Sequence, residues 1–299
     1  YAAGLAPASL VFAGADTSPA AAASLIEQTR PTVLAGIPTF WVQMNEVFSS
    51  GDYDLSSVDR ILCGGAEAPP ALIRKYTDRG IHFFHAWGMT EMSPSGTANW
   101  IPANSEHVEH GAKQGIAAPT VELRLMVDED TEAPWDGKTV GELEARGPWV
   151  AAAYYEPEDH ANEEKFNDGW LRTGDVGRMY PDGTLEIVDR TKDLVKSGGE
   201  WISSVELERA LASHPAVRES AVVAIPHERW GERPAALVVL TQPGAADVDD
   251  LKEFLSTKVA SWQVPDVVEF IDDLPKTGVG KIDKRRLREE VVPRLGRSD

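Results

Sequence analysis

Cysteine is almost absent. Cys63 is the only one in 299 residues, so no intrachain disulfide can form, and cytoplasmic residence is the simple expectation. Positive charge is also scarce: 29 Lys and Arg stand against 48 Asp and Glu, a net charge of −19. Such a surface repels nucleic acid and anionic lipid, so a nucleic-acid partner is not expected. An anionic ligand would need locally placed cations, and the clearest basic island runs from Lys276 to Arg288. No apolar run approaches the roughly 20 residues of a membrane span, so no transmembrane segment is expected. The start, Tyr1-Ala2-Ala3-Gly4, lacks both an initiator Met and the basic region of a secretory signal. The expectation is a chain cut from something longer.

What is present suffices for a core, with 42% hydrophobic residues, and the length suggests about two domains. Ser18-Pro19 is predicted to open a helix to about Thr29. Thr32–Ala35 reads as a strand, Phe40–Phe48 as a helix and Arg60–Cys63 as a strand. Pro69-Pro70 opens a helix to about Arg79, and Ile81–Phe84 is the next strand. This β-α-β-α-β order predicts a parallel sheet in an α/β fold, with ligands beyond the C-terminal strand ends. From Val121 short strands and turns take over (Val121–Val127, Gly141–Arg146, Thr184–Asp189), predicting a small barrel-like β region. After Arg190 an α+β pattern follows. Ser204 is read as the cap of a helix to Ala212, Val217–Ile225 and Ala235–Leu240 as strands, and Val248–Ala260 and Ile282–Val291 as helices. The domain boundary is placed near Arg190–Lys192, giving domains 1–191 and 192–299.

Five short motifs follow one another along the chain. Gly64-Gly65-Ala66-Glu67 ends a strand, where adjacent glycines let backbone approach a flat ring, although an ordinary turn reads the same way. In Trp87-Gly88-Met89-Thr90-Glu91 a hydroxyl can donate to phosphate and a carboxylate can hold Mg²⁺. Thr-Glu is equally a capping pair. In Leu171-Arg172-Thr173-Gly174-Asp175 the carboxylate can accept from both hydroxyls of a ribose. The fourth motif runs from Asp189 to Ser204 and includes Lys192, Gly198-Gly199 and Trp201. The fifth is Pro275-Lys276-Thr277-Gly278-Val279-Gly280-Lys281. It fails as a P-loop, because the Gly four residues back is missing and Ile282 replaces Ser/Thr. His107 and His110 lack a ligand framework and read as exposed loop. Asp247 with Asp249 and Asp250 reads as a helix N-terminus.

In this order the motifs resemble the AMP-forming adenylating superfamily, and Gly-Glu-Trp-Ile-Ser-Ser resembles its medium- and long-chain fatty acyl-CoA synthetases. The resemblance covers essentially the whole chain. It implies the C-terminal portion of the large adenylating domain, followed by a small α+β lid domain. It implies ATP, Mg²⁺ and coenzyme A as ligands and a fatty acid as substrate, and a homodimer is held open. Gly65, Ala66, Glu67, Trp87, Gly88 and Thr90 would contact the nucleotide, with Thr90 at the α-phosphate and Glu91 on Mg²⁺. Asp175 and Arg190 would bind the ribose. Trp201 would pack on adenine, or else serve as a core residue of the small domain. Lys192 would be the hinge, and Gly198-Gly199 would line the pantetheine arm of CoA. Lys281 would bridge the substrate carboxylate and the α-phosphate.

The resemblance also exposes departures. The Ser/Thr/Gly-rich phosphate loop of a full-length enzyme is not found before Ile61. Trp87 stands where Tyr is usual, and Ala151-Ala152-Ala153-Tyr154-Tyr155 lacks a customary Gly. Neither departure is expected to touch a residue with a charged role. Phe40, Trp41, Trp87 and Met92 suit an apolar acyl pocket or a core equally. Two other readings stay open. The acid may be aromatic or short, or the acceptor a carrier-protein thiol; in another class, the chain is a non-catalytic nucleotide- or CoA-binding fragment.

Overall fold

The computed structural model describes residues 8–106, 108–155, 161–277 and 282–295. The chain divides into two compact units, Tyr1–Thr173 with Arg178–Ile187, and Gly174–Gly177 with Val188–Asp299. The first unit opens with the helix Pro19–Thr29, capped by the Ser18 hydroxyl, which accepts from the Ala21 N–H at 3.3 Å. Strands β1 (Val33–Gly36), β2 (Arg60–Gly64) and β3 (His82–Trp87) pair in parallel, joined through the helices Pro38–Ser50 and Pro70–Thr77. The expected parallel sheet is therefore present, but it does not end at β3. Two antiparallel strands, β4 (Thr97–Ile101) and β5 (Ile116–Ala117), complete the order β1-β2-β3-β4-β5. Sequence alone gave no strand for β4, because Thr97-Ala98-Asn99-Trp100-Ile101 has little apolar alternation.

The helix from Pro70 ends at Thr77 rather than Arg79, since Gly80 takes φ +80° and turns the chain. Trp41, Met44, Ile61, Ile73, Tyr76 and Phe83 fill the core of the first sheet and its helices. Met92 lies in a second core with Leu125, Leu143 and Leu171. Trp41 and Met92 are thus core residues, whereas Phe40 and Trp87 are partly buried against those cores.

The antiparallel β region comprises β6 (Glu122–Met126), β7 (Gly141–Arg146), β8 (Phe166–Asn167), β9 (Trp170–Met179) and β10 (Leu185–Arg190). Its strand order is β10-β9-β7-β6, with β8 beside β9. Glu144 is buried on β7 and is paired with Arg124 at 2.6 Å and Arg172 at 3.3 Å.

In the second unit β11 (Val195–Ser197) and β12 (Glu200–Ile202) form a short hairpin. The long strands β13 (Val217–His227) and β14 (Gly231–Leu240) pair over ten positions. Strand β15 (Val267–Phe270) runs parallel to β14. The helix Ser204–Ala212 is capped by Ser203, not Ser204: the Ser203 hydroxyl accepts from the Glu206 N–H at 3.1 Å. Ser204 is instead buried inside the first turn, where its own hydroxyl donates to Asp189. Asp247 and Asp250 form the expected reciprocal cap of the helix Val248–Ser256. That helix stops four residues before Ala260, and the basic helix runs only from Lys284 to Glu290. Among the described residues no helix is long and apolar enough to cross a membrane.

Cys63 sits on β2 with 1% of its surface exposed, and burial pushes its thiol up to about 12. A buried, protonated thiol is a poor nucleophile. A chromogenic disulfide reagent at pH 8 should therefore leave the native chain unlabelled and titrate one thiol in 6 M guanidinium; prompt native labelling would show that β2 is not packed as described.

Candidate active site

The first group of motif residues gathers where two parallel strands end side by side. Gly64 of β2 is in register with Ala86 of β3. The exposed Gly65-Ala66-Glu67 segment and the Trp87–Glu91 segment therefore leave the sheet from adjacent strands. Gly65 takes φ +81°, a conformation that side chains rarely adopt. Beneath it His85 is 1% exposed. Its Nε2 accepts from the Ala68 N–H at 3.3 Å, and its Nδ1 faces the Lys113 carbonyl at 3.2 Å. With the proton on Nδ1 both contacts are satisfied, and the Gly65–Ala68 turn is pinned to the sheet.

After β3 the chain folds back on itself. Gly88 passes so close to the Pro94 carbonyl that a Cβ there would overlap it. The Gly96 N–H then bonds the Trp87 carbonyl at 3.1 Å and closes the loop. Inside the loop Thr90–Met92 makes a single 3₁₀ turn. Met92 points into the core, Thr90 is exposed and Glu91 is half-buried.

A second segment, Trp149–Tyr154, is laid along this loop. The Ala151 N–H bonds the Glu91 carbonyl at 2.7 Å, and the Trp149 indole bonds the Ser95 carbonyl at 3.1 Å. The Ser93 hydroxyl donates to the Trp149 carbonyl at 3.1 Å. The Tyr154 hydroxyl donates to Glu91 Oε1 at 2.6 Å. That hydrogen bond to a carboxylate, with some burial, pushes the Tyr154 phenol up to about 12. The expectation that Ala151–Tyr155 touches no residue with a charged role is therefore wrong. Its signal in the sequence was the tyrosine itself, a donor at the end of a rigid ring.

Mg²⁺ is commonly held by one or two carboxylates together with substrate phosphates rather than by an all-protein cage. Glu91 fits that pattern, because its hydrogen bond uses Oε1 and leaves Oε2 for another partner. Among the described residues there is no cluster of three His, Cys, Asp or Glu that could form a cage. His110, on the short helix Val108–Gly111, faces Asp182 at 3.4 Å, and His107 lies outside the described residues.

The second group lies in the second unit. Asp175 is buried in the middle of β9, next to Gly174 at φ +74°, and is not on a turn. Arg190 Nε lies 3.2 Å from Asp175 Oδ1, and the Thr191 N–H bonds the Gly174 carbonyl at 2.9 Å. Asp189 is buried and collects the Ser204 N–H at 2.6 Å, the Ser204 hydroxyl at 2.7 Å and the Arg190 N–H at 2.7 Å. Three residues on, Lys192 is exposed. Gly198 and Gly199 form the β11–β12 turn with φ +63° and +89°. A Cβ on Gly198 would lie 2.8 Å from the Trp230 ring, so that ring lies flush against the turn. Arg229 stacks over Trp230 at 4.5 Å. Trp201 is half-buried on β12 and stays out of the core that its neighbour Ile202 enters, as strand alternation requires. Gly278, Gly280 and Lys281 lie outside the described residues.

Comparison with known proteins gives a consistent picture. Residues 1–155 match the family of AMP-binding enzymes, and residues 206–281 match the AMP-binding enzyme C-terminal domain. A 3-methylmercaptopropionyl-CoA ligase of Ruegeria lacuscaerulensis is 40% identical over 97% of this chain and 54% of its own length. A long-chain-fatty-acid–CoA ligase of Thermus thermophilus is 39% identical over 97% of this chain and 55% of its own. The solved o-succinylbenzoate CoA synthetase of Bacillus subtilis, in complex with its acyl-adenylate intermediate, is similar with a TM-score of 0.78 and 28% identity. That match covers 91% of this chain and 54% of the solved one. The chain thus spans about half the length of the relatives it matches.

The close passage at Gly88 makes a direct stability prediction. Gly88→Ala should lower the unfolding free energy of the first unit by about 1–3 kcal/mol, the usual range for overpacking. Gly14→Ala, at a position with open space but also positive φ, should show only the smaller backbone penalty. Urea denaturation followed by tryptophan fluorescence would check this, and equal midpoints for the two variants would contradict the loop closure.

Proposed function

The chain belongs to the AMP-binding enzyme family, and from that premise we propose that the protein carrying it is a fatty acid–CoA ligase of the AMP-forming type. The observation that carries this reading is the presentation of Thr90 and Glu91 at the end of β3, beside Gly65–Glu67 at the end of β2. A parallel sheet offers ligands its C-terminal strand ends. There Gly65, Ala66 and Trp87 supply backbone and a ring for a base, Thr90 donates to the α-phosphate and Glu91 holds the metal. Mg²⁺ bound there would neutralise phosphate charge.

The reaction has two steps. The acid's carboxylate oxygen attacks the α-phosphorus of ATP, the bond to the pyrophosphate oxygen breaks, and acyl-AMP forms. The CoA thiolate then attacks the acyl carbon, and AMP leaves with the oxygen that came from the acid. Thr90 and Lys281 stabilise the charge that builds on the α-phosphate in the first step. Asp175 accepts from the ribose hydroxyls with Arg190 beside it. The Gly198-Gly199 turn, with no Cβ to obstruct it, serves the pantetheine arm in the second step. We take Lys192 as the pivot between the two steps and the boundary of the small domain, and the lone unpaired Cys63 as suited to the cytoplasm.

The similarity to a 3-methylmercaptopropionyl-CoA ligase at 40% identity favours a short thioether acid as the second reading. Assay of the intact protein on acids from acetate to palmitate, with 3-methylthiopropionate alongside, separates the two.

The role of Lys281 makes the sharpest test. In the intact protein, acid-dependent exchange of pyrophosphate into ATP should fall by roughly 10²–10³ in Lys281→Ala, the range for removing one preorganised donor to the developing charge. Exchange at the unaltered rate would remove Lys281 from the first step.

A further inference from the structure

Glu91 presents an electrostatic problem. It is half-buried, and among the described residues no Lys or Arg pairs with it. Several other carboxylates have a cation beside them, whereas buried Asp189 is satisfied instead by three neutral N–H and O–H donors. Glu144 has Arg124 and Arg172, Glu208 has Lys284 at 2.7 Å, and Asp175 has Arg190. Even Glu186, which also accepts from a tyrosine, is neutralised by Arg178 at 3.3 Å. Glu91 receives only a neutral phenol, from Tyr154. With a single donor on Oε1, Glu91 keeps Oε2 available to a cation that is not part of the chain.

Tyr154 is itself held on three sides. Its N–H donates to Asn162 Oδ1 at 2.6 Å, and Asn162 Nδ2 returns a bond to the Tyr154 carbonyl at 3.2 Å. Its ring meets Phe166 edge-on, with centroids 5.4 Å apart. The backbone and ring are thus fixed before the hydroxyl reaches Glu91. The neighbouring Tyr155, in contrast, is 88% exposed. A donor fixed at one carboxylate oxygen sets the rotation of the whole carboxylate and directs the other oxygen outward.

We propose that Tyr154 is a positioning residue for the metal-binding carboxylate: it occupies Oε1 of Glu91 and fixes the carboxylate's rotation, so that Oε2 is the oxygen that would meet a divalent cation. The proposal rests on the reading of Glu91 given above. It assigns the Asn162–Tyr154–Phe166 arrangement to the site, where a purely structural tyrosine would do nothing for the metal. A neutral donor suits this task better than Lys or Arg, because it orients the carboxylate without cancelling its charge.

The test uses the intact protein, with Mn²⁺ as probe and a non-hydrolysable ATP analogue. Free Mn²⁺ is read by electron paramagnetic resonance, and pyrophosphate exchange is followed across a range of Mg²⁺. Tyr154→Phe keeps the ring contact with Phe166 and removes only the hydroxyl. It should weaken Mn²⁺ binding by roughly tenfold, the scale of one hydrogen bond to a charged group. It should raise half-saturating Mg²⁺ to match, with the exchange rate recovering at saturating Mg²⁺. Asn162→Ala should shift both in the same direction by less. Mn²⁺ affinity unchanged in Tyr154→Phe while Glu91→Gln abolishes it would overturn the tyrosine's role and leave the reading of Glu91 intact. Mn²⁺ affinity unchanged in Glu91→Gln would overturn that reading and the proposal with it.

Discussion

The candidate site depends on one close approach. Where Gly88 passes the Pro94 carbonyl there is no room for a side chain. That contact lets the chain leave β3, make the Thr90–Met92 turn and return to β4 within a few residues. Because Met92 is driven into the core and Gly96 is bonded back to Trp87, Thr90 and Glu91 within that closed loop have little freedom. Thr90 faces out and Glu91 lies against the Trp149–Tyr154 segment. The loop presents a hydroxyl and a carboxylate at the end of a parallel strand, where open α/β sheets receive ligands. Packing produces this arrangement: the apolar side of the turn is anchored and the polar side is left over.

The second unit applies a similar economy to its acidic residues. Asp189 joins the end of β10 to the N-terminus of the helix Ser204–Ala212 by accepting from both Ser204 donors. A carboxylate is favoured at that end of a helix by the dipole as well. Arg190 is then free to extend along β9 to Asp175. The basic helix Lys284–Glu290 is fastened to the same stretch. Lys284 donates to Ser204 at 2.7 Å, and Arg288 pairs with Asp193. Burial pushes the Glu208 carboxyl above its ordinary range, and Lys284 beside it works against that shift. Lys192 is left exposed between two anchored aspartates.

Much of this could be read from the residues, and the misses have physical reasons. Strands β1, β2 and β3 and their helices were legible because Pro19 and Pro70 mark helix starts, Phe40–Phe48 has helical spacing and the strands between them are apolar, although the middle helix begins two residues earlier, at Pro38. Strand β4 was not, because Asn99 and exposed Trp100 break the pattern, and its place is fixed by pairing with β3. The cap at Ser203 was displaced by one residue since both serines are competent and both are buried, and only their partners distinguish them: Ser203 accepts from the Glu206 N–H, whereas Ser204 donates to Asp189. The motif residues Gly65, Thr90, Glu91, Asp175 and Gly198 could be named from order and type. Asp175 proved to be a strand residue with an arginine partner, a long-range pairing that a single sequence does not display. Tyr154 was missed for the same reason: Glu91 lies far from it in the chain and next to it in the fold.

The central claim is that an acid is activated by attack on the α-phosphorus of ATP and that AMP later departs with one of the acid's oxygens. Oxygen labelling tests it most directly. The intact protein would be given ATP, Mg²⁺, CoA and fatty acids from acetate to palmitate labelled with ¹⁸O in both carboxyl positions. Mass spectrometry of the products should find one ¹⁸O in AMP and none in pyrophosphate. Acyl-CoA formed alongside unlabelled AMP, or label appearing in inorganic phosphate, would contradict the account.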